Sequence, residues 1–548
     1  MAESILDSGA RSGGAPGGVL DRARTIAAPG FNRWLIPPCA LAIHLCIGMA
    51  YGFSVFWLPL SRAIGVSKPV ACEGMTLARA LTTTTCDWRV SDLTWTYSLF
   101  FIVLGSSAAI WGGWLERAGP RKAGVLAAFC WAGGIAIAAI GVKLHLLWVM
   151  WLGAGLIGGI GLGLGYISPV ATLIRWFPDR RGMATGMAIM GFGGGAMIGS
   201  PLADILMKHF SGPGGVGVWQ TFMVLAAGYF VFMLGGALGY RTPPEGWSPE
   251  GWTPPARKTA LISGHSVHLK DAHKTPQFWL IWLVLLLNVS ASIGIIGVAS
   301  PMIQEIFGGR LFGHPEVAFG AFDADQKKAA AAVAAGFVGL VSLFNIGGRF
   351  AWASVSDLFG RKLTYAVILA LGALLYGFVA PASASGGVLL GLVFAFGVIA
   401  SMYGGGFAMA PAYLADVFGP AYVGAIHGRL LTAWSTAGVF GVLVVNSIHD
   451  ANLKAHVVGA GAYAPIYLWL AALLVVAFVC NLMVRPVAEK WRIAGPAPAR
   501  AAAEAVSVGG GIGRGRIDAV TVLAWALVAG PLAWGVWVTL SKAAALFR

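Results

Sequence analysis

The stretch Asn345–Lys362 reads NIGGRFAWASVSDLFGRK and ends an apolar segment that begins near Ala329. This segment is long enough to cross a bilayer, because about 20 apolar residues in a helix span the hydrocarbon core. One charge, Arg349, lies inside the segment, and the other charges begin at Asp357. A charged side chain at membrane depth is costly and usually marks a functional site. We therefore expect Arg349 to hold an anion and the residues from Asp357 onward to form a hinge at the membrane surface.

The composition indicates an integral membrane protein. Of the 548 residues, 57% are hydrophobic and only 11% are charged, whereas soluble proteins carry about 25% charged residues. In lipid every backbone polar group must be bonded within its own segment, so long apolar runs must be helices. The predicted fold is therefore all-α. About thirteen spans are expected, at roughly 34–60, 92–115, 123–143, 147–174, 183–207, 217–240, 277–304, 330–356, 363–381, 387–414, 429–448, 466–485 and 518–541.

The formal net charge of +15 is explained by topology. With the N-terminus in the cytoplasm, about two thirds of the 37 lysine and arginine residues fall on cytoplasmic segments, in agreement with the positive-inside rule. The sequence contains no concentrated basic patch of the kind that binds a polyanion. We expect a multi-pass protein of the plasma (inner) membrane that contacts the lipid bilayer, binds no nucleic acid and acts as a monomer.

An acid, a glycine turn and a basic pair follow both the second span and the eighth. The two copies read ERAGPRK from Glu116 and DLFGRK from Asp357. Glu116 and Asp357 are separated by 241 positions, and Gly119 and Gly360 are separated by the same number. A fixed offset of this kind is the signature of an internal repeat.

The offset also holds further along the chain, where Tyr166 of the fourth span corresponds to Phe407 of the tenth. The helix starts at Gly182 and Gly428 match at 246 instead, which predicts a short insertion. We expect two six-helix halves repeated in parallel, with a substrate site near the midplane between them. The predicted segments are a cytoplasmic tail 1–33, an N-terminal half 34–240, a cytoplasmic central loop 241–276, a C-terminal half 277–485, a linker 486–517 and a thirteenth helix within 518–548. The thirteenth helix either spans the membrane or lies in its interface.

These motifs resemble the major facilitator superfamily, as does RWFPDRRG at Arg175–Gly182 after the fourth span. Within that superfamily, three stretches are similar to the oxalate/formate antiporter family of carboxylate transporters: Asn345–Arg349, Pro243–Trp247 and Ala425–Trp434. The resemblance covers about 34–485. It implies the major facilitator fold and secondary active transport of a small organic anion by alternating access.

The resemblance also implies a substrate site. In the resembling antiporters a dicarboxylate is held by an arginine in the eighth span and a lysine in the eleventh, inside an aromatic cage. Arg349 matches the arginine, and its guanidinium can bind a carboxylate through two hydrogen bonds. The cage residues that carry over are Tyr51, Tyr166, Tyr403 and Phe407.

The eleventh span departs from the family pattern, because no lysine lies between Leu430 and Ser447 and the position is taken by Trp434 or Ser435. One arginine neutralises one carboxylate. We therefore predict a monocarboxylate such as formate, pyruvate or a hydroxy acid as the substrate, with oxalate less favoured.

The coupling mode follows from Asn345, which stands where related proton-coupled monocarboxylate symporters carry an aspartate. An asparagine cannot titrate, which favours anion exchange or uniport. His44 is expected to be a hydrogen-bonded buried histidine, although His44 or Asp204 could carry a proton, so proton-coupled symport is the alternative. A membrane-embedded carboxylate sensor is the alternative from another class. No metal-ligand cluster or nucleophile and base pair occurs in the spans, so neither an enzyme nor a cofactor is predicted.

Two further groups of residues have predicted roles. Cys72 and Cys86 share the polar outer loop 61–91, where either a disulfide or two free thiols would be consistent with the sequence. The residues expected to pair across the cytoplasmic face when the site opens outward are Glu116, Arg117, Arg121, Asp357 and Arg361.

Overall fold

The computed structural model describes residues 18–66, 70–71, 74–244, 246–252, 261–262, 265–311, 322–384, 389–493 and 518–544. In these ranges thirteen helices are long and apolar enough to cross a membrane. The first half contains α1 (Arg33–Leu60), α2 (Val90–Ala118), α3 (Pro120–Lys143), α4 (Leu147–Trp176), α5 (Arg181–Phe210) and α6 (Val218–Gly239). The second half contains α7 (Pro276–Leu311), α8 (Ala324–Phe359), α9 (Arg361–Ala384), α10 (Leu389–Phe418), α11 (Val423–Lys454) and α12 (Ala460–Met483). The last helix is α13 (Ala519–Ala543).

The predicted tail 1–33 and linker 486–517 lie largely outside the described residues, as does part of the central loop 241–276. The boundaries predicted for these segments stay predictions. Within the described ranges, the thirteen helices coincide with the thirteen predicted spans, and most ends agree within a few residues.

The two halves meet along two pairs of helices, α2 with α11 and α5 with α8. Glycines bring the backbones close in both pairs. A Cβ on Gly428 of α11 would lie 2.3 Å from the carbonyl oxygen of Ala108 on α2, and a Cβ on Gly186 of α5 would lie 2.5 Å from the carbonyl oxygen of Arg349 on α8. Since these distances are too short for any side chain, the glycines permit the contact between the halves.

These contacts correct the register of the repeat. Gly186 and Gly428 make equivalent contacts, and they are separated by 242 positions. Arg349 and Ala108, on the partner helices, are separated by 241. The predicted match of Gly182 with Gly428 at an offset of 246 is therefore wrong. The offset between α5 and α11 is 242, one position more than the offset of 241 between α2 and α8.

The start of α11 is also earlier than predicted, at Val423 instead of Arg429. The carboxylate of Glu116 on α2 faces the backbone N–H groups of Gly424 and Ala425. These N–H groups have no partner within their own helix, so an acid from the other half stabilises the first turn of α11. This tertiary contact extends the helix over residues that the sequence alone did not assign to it.

α13 runs along both halves of the protein. Near the start of α13, Nε1 of Trp525 donates a hydrogen bond to the carbonyl oxygen of Trp34 at the start of α1, at 3.0 Å. Further along, Gly535 packs against Met197 of α5, and Thr539 packs against Gly339 of α8. A helix that contacts the start of α1 and the first half of α8 runs along the length of the bundle, as a spanning helix would, whereas a helix in the interface would contact one end of the bundle.

The outer loop contains a disulfide-bonded cysteine, Cys86. Its predicted partner, Cys72, lies outside the described residues. Among the described residues, the free thiols are those of Cys39, Cys46, Cys130 and Cys480.

Next to Cys86 the loop is fixed by buried polar groups. Nε2 of His145 lies 2.9 Å from the carbonyl oxygen of Cys86, and the imidazole stacks on Trp88 with ring centroids 3.9 Å apart. Burial lowers the pKa of His145, so the neutral form is favoured in the folded loop. The carboxylate of Asp87 accepts hydrogen bonds from the N–H groups of Ile64, Gly65 and Val70.

Replacing Cys86 by serine is expected to lower the midpoint of thermal unfolding by several degrees, because a native disulfide contributes about 2–4 kcal/mol to stability. Tryptophan fluorescence of the purified protein in detergent measures this midpoint. Cys130→Ser is the matched control and should leave it unchanged. Equal midpoints for the two variants would contradict a stabilising disulfide at Cys86.

Candidate functional site

Arg349 lies within α8, and its side chain is fully buried. Its Nε donates a hydrogen bond to Oδ1 of Asn345 at 3.0 Å, and its Nη1 donates to the carbonyl oxygen of Ile189 on α5 at 3.1 Å. Its Nη2 is buried without a hydrogen-bond partner among the described residues. The guanidinium is therefore held by both halves of the protein, and one of its nitrogens is left unpaired.

Arg349 forms no ion pair with any carboxylate in the part of the chain that the structure describes. Three acids of the spans pair with other residues: Asp204 with Lys208, Glu305 with His449 and Asp416 with Arg181. A buried charge without a counter-charge is strongly unfavourable. The arrangement thus has one uncompensated positive charge at membrane depth.

The side chain of Arg349 fits between α5 and α10 because glycines lie where it contacts these helices. A Cβ on Gly193 of α5 would lie 3.2 Å from Nε of Arg349. A Cβ on Gly404 of α10 would lie 3.0 Å from its Cγ and 2.2 Å from the carbonyl oxygen of Asn345. The glycine-rich stretches of α5 and α10 are therefore needed where the arginine enters the interface.

Three of the predicted aromatic residues form the inner part of a cage beside the guanidinium. The ring of Phe407 lies 5.6 Å from the guanidinium carbon, within the range of a cation–π interaction. The ring centroid of Trp434 lies 4.9 Å from that of Phe407 and 5.4 Å from that of Tyr166. All three side chains are buried.

The other two predicted aromatic residues, Tyr51 and Tyr403, complete the cage, and the ring centroid of Tyr51 lies 6.1 Å from that of Trp434. Their hydroxyl oxygens are 3.2 Å apart and connect α1 of the first half to α10 of the second. Tyr51 stands on the 3-10 segment Gly48–Phe56 of α1 and is partly exposed, whereas Tyr403 is buried. The structure therefore brings all six residues of the predicted substrate site together.

Phe192 belongs to the same cage, although the sequence analysis did not predict it as a site residue. Its ring centroid lies 5.0 Å from that of Tyr51, 5.4 Å from that of Tyr166 and 5.3 Å from that of Trp434. Phe192 is the repeat equivalent of Trp434 at the offset of 242. The mistaken offset of 246 concealed it, because that offset places Ala188 opposite Trp434.

Two buried histidines lie near the cage and differ in their hydrogen bonding. Nδ1 of His44 lies 2.6 Å from the carbonyl oxygen of Ala188, and its Nε2 lies 3.3 Å from that of Tyr166. The prediction that His44 is a hydrogen-bonded buried histidine is therefore confirmed. By contrast, neither ring nitrogen of His427 has a partner among the described residues, although its side chain is buried.

The helix ends that are predicted to face the cytoplasm are joined across the halves by two equivalent contacts. The carboxylate of Asp357 on α8 accepts hydrogen bonds from the N–H groups of Gly182 at 2.9 Å and Met183 at 2.8 Å, at the start of α5. Glu116 of α2 faces the start of α11 in the same way. A helix N-terminus carries partial positive charge, so each acid is stabilised by the first turn of a helix in the opposite half.

Ion pairs surround these two contacts. Arg175 pairs with Glu116, and Arg361 pairs with Asp357. Arg181 of α5 lies 3.4 Å from Asp416 of α10 and thus connects the halves directly. Sequence reasoning did not assign Arg181 and Asp416 to the cytoplasmic contact, because their pairing depends on the docking of the two halves.

Three of the five predicted cytoplasmic residues do not pair across the halves in the described part of the chain. Arg361 pairs with Asp357 and Asp416 of its own half. Arg117 is exposed and forms no ion pair within the described ranges. Arg121 is buried and donates hydrogen bonds to the carbonyl oxygens of Val19 and Tyr240, both at 2.8 Å. Tyr240 follows the last residue of α6, where carbonyl groups lack partners within the helix and attract a cation.

Comparison with known proteins agrees with this architecture. The family model of the Major Facilitator Superfamily matches residues 40–442. The oxalate:formate antiporter of Oxalobacter formigenes is 25% identical over 417 residues, which are 75% of this chain and 83% of that protein. The apicoplast pyruvate carrier 1 of Toxoplasma gondii is 24% identical over 450 residues, which cover 70% of this chain and 78% of the carrier.

Among solved structures, the fucose:proton symporter FucP of E. coli has a TM-score of 0.54 at 13% identity, over 83% of this chain and 100% of that chain. This similarity confirms the predicted fold. The family consists of transporters, in agreement with the expectation that the protein is not an enzyme. The chain is thus a multi-pass membrane protein that belongs to the Major Facilitator Superfamily, and it is similar within that superfamily to the oxalate/formate antiporter family.

Proposed function

We propose that the protein is a secondary transporter of a small carboxylate and that Arg349 holds the carboxylate group. The observation that carries this proposal is the buried guanidinium, whose Nη2 is unpaired and which has no acidic partner among the described residues. A carboxylate beside it would supply both the missing charge and a hydrogen-bond acceptor. The names of the two relatives, an oxalate:formate antiporter and a pyruvate carrier, support the same substrate class.

The substrate carries one carboxylate in this proposal. The position of the second cation is taken by Trp434 or Ser435, and the ring of Trp434 packs against Phe407 and Tyr166. A second carboxylate in this aromatic environment would have to lose its water without gaining a counter-charge. Formate, pyruvate and small hydroxy acids meet the requirement, and oxalate meets it less well.

Alternating access would use the two sets of contacts between the halves. On the cytoplasmic side, Asp357 and Glu116 hold the first turns of α5 and α11, and these contacts must break for the site to open inward. On the outer side, the tyrosine pair of Tyr51 and Tyr403 would separate to admit the anion from the plasma membrane exterior. The substrate would then be exposed to one side at a time.

Anion exchange or uniport is the mode that we favour, because the side chain that orients Arg349 is Asn345, which cannot titrate.

Proton-coupled symport is the second candidate, and the hydrogen bonding of His44 is the observation that favours it. Both nitrogens of His44 lie near carbonyl oxygens, and only a doubly protonated imidazole can donate to both. The carbonyl of Ala188 that contacts His44 is adjacent in α5 to that of Ile189, which binds Arg349. Acidification of the vesicle lumen during uptake would favour symport over exchange.

Replacing Arg349 by alanine is expected to reduce uptake roughly 100-fold or more, because a charged hydrogen-bond partner of the substrate is lost. Arg349→Lys should retain part of the activity, since it keeps the charge without the planar fork. Counterflow of labelled formate, pyruvate, lactate and oxalate in vesicles of purified protein measures the effect. Arg117→Ala is the matched control, because Arg117 is exposed and outside the site. Normal counterflow in both Arg349 variants would refute the proposal, and saturable binding without flux in the unmodified protein would indicate a sensor.

Replacing Asp357 by alanine is expected to shift the protein toward the inward-open state, because the first turn of α5 loses its acceptor. Spin labels at Arg180 and Phe359, which are exposed on opposite halves, report the separation of the cytoplasmic ends. In a background without the free thiols, Asp357→Ala should increase the population at long distances. The same distance distribution in this variant and in Arg117→Ala would argue against a role of Asp357 in closing the cytoplasmic side.

A further inference from the structure

We propose that His427 binds the second oxygen-bearing group of the substrate and makes the site selective for 2-oxo and 2-hydroxy monocarboxylates. This inference rests on the proposed function, since Arg349 must first hold the carboxylate. The carbonyl or hydroxyl oxygen next to that carboxylate would then bond to the imidazole. Carboxylates without such an oxygen, such as formate and acetate, would leave the imidazole unpaired.

The repeat places His427 at the depth of Arg349. Gly428, the next residue, packs against the carbonyl oxygen of Ala108, and Gly186 packs against that of Arg349 in the equivalent contact. Ala108 and Arg349 are therefore equivalent positions on the two sides of the interface. His427 enters the interface from the α2–α11 side and Arg349 from the α5–α8 side, so the backbones of the two residues lie on opposite walls at the same level.

The cage lies between these two walls. His427 and Trp434 are separated by two helical turns and thus lie on the same face of α11. The ring centroid of His427 is 5.9 Å from that of Tyr166, which is itself 5.9 Å from that of Phe407. Phe407 in turn contacts the guanidinium of Arg349. The rings thus form a continuous surface from the guanidinium to the imidazole.

The hydrogen bonding of His427 is unusual for a residue with only a packing role. A neutral imidazole has one donor and one acceptor, and leaving buried polar groups unpaired is unfavourable because each has lost its hydrogen bonds to water. Side-chain polar atoms that are buried in native proteins are nearly always bonded. His44 follows this rule through two backbone carbonyl groups, whereas His427 does not in the described part of the chain.

The unpaired polar atoms of the site form one group. Besides the two ring nitrogens of His427, the buried atoms without a partner among the described residues include Nη2 of Arg349, the hydroxyl of Tyr166 and Nε1 of Trp434. These atoms come from α4, α8 and α11 and belong to side chains that are linked by the ring contacts above. A carboxylate with an adjacent oxygen supplies three acceptors to this set, whereas an unsubstituted carboxylate supplies two. A site built to bond a substrate oxygen discriminates strongly against an analogue that lacks it.

The test measures the concentration dependence of uptake for pyruvate, L-lactate, acetate and formate in vesicles that contain the purified full-length protein. His427→Ala is expected to raise the KM for pyruvate and lactate roughly ten- to hundredfold, while acetate and formate should change by less than about twofold. His427→Gln keeps a donor at similar reach and should recover part of the affinity for pyruvate. His209→Ala, at an exposed position near the end of α5, is the matched control and should behave as the unmodified protein.

The outcomes separate this inference from the proposed function. Unchanged pyruvate uptake in His427→Ala overturns the inference, as does an equal loss for all four acids, which would indicate a structural role. Uptake of formate or acetate but not of pyruvate or lactate by the unmodified protein also overturns it and leaves the proposed function intact. Failure to transport any of the four acids, together with oxalate, overturns the proposed function itself.

Discussion

The burial of one guanidinium between two halves is the constraint on which the site depends. An arginine at membrane depth is unfavourable by at least about 2.5–3.5 kcal/mol, and the structure offsets this only in part. Asn345 and the carbonyl group of Ile189 accept two of its hydrogen bonds, and Phe407 faces its charge. Gly193 and Gly404 provide the space. The positive charge of Arg349 still lacks a counter-charge, and a bound anion would supply one.

The repeat explains how such an asymmetric site is built on a symmetric frame. Gly105 and Ile346 occupy equivalent positions on α2 and α8, and Ser435 and Gly193 occupy equivalent positions on α11 and α5. On one side the side chain of Ser435 fills the space beside Gly105, whereas on the other Gly193 leaves room beside Ile346 and Arg349. The α2–α11 side therefore differs from the α5–α8 side in two ways. It has Ser435 where the other side has Gly193, and Ala108 where the other side has Arg349. The frame itself, in which Asp357 and Glu116 each hold a helix of the opposite half, is retained in both.

The spans and Arg349 could be predicted because they depend on local sequence: twenty apolar residues must form a helix in lipid, and a charge among them is conspicuous. Features that depend on the docking of the halves could not. The start of α11 is fixed by Glu116, more than 300 residues earlier in the chain, and Arg121 finds its acceptors at the end of α6. Phe192 was recoverable in principle, since the correct offset pairs it with Trp434. The unpaired nitrogens of His427 are visible only once the neighbouring helices are in place.

In the proposed function, the substrate site and the cytoplasmic contact of Asp357, which would act as a gate, share α5 and α8, so alternating access would couple them. On α8, Asp357 lies two turns below Arg349, and both contact α5: Asp357 binds the N–H groups of its first turn, and Arg349 binds the carbonyl oxygen of Ile189. When the cytoplasmic ends separate, α5 moves away from α8, and the bond between Nη1 and Ile189 must lengthen or break. The guanidinium then loses a hydrogen-bond acceptor of the protein, so its affinity for a bound anion would differ between the closed and the open state of the gate. Any ligand bound to Arg349 must in turn bias the gate, because coupling between two sites is reciprocal.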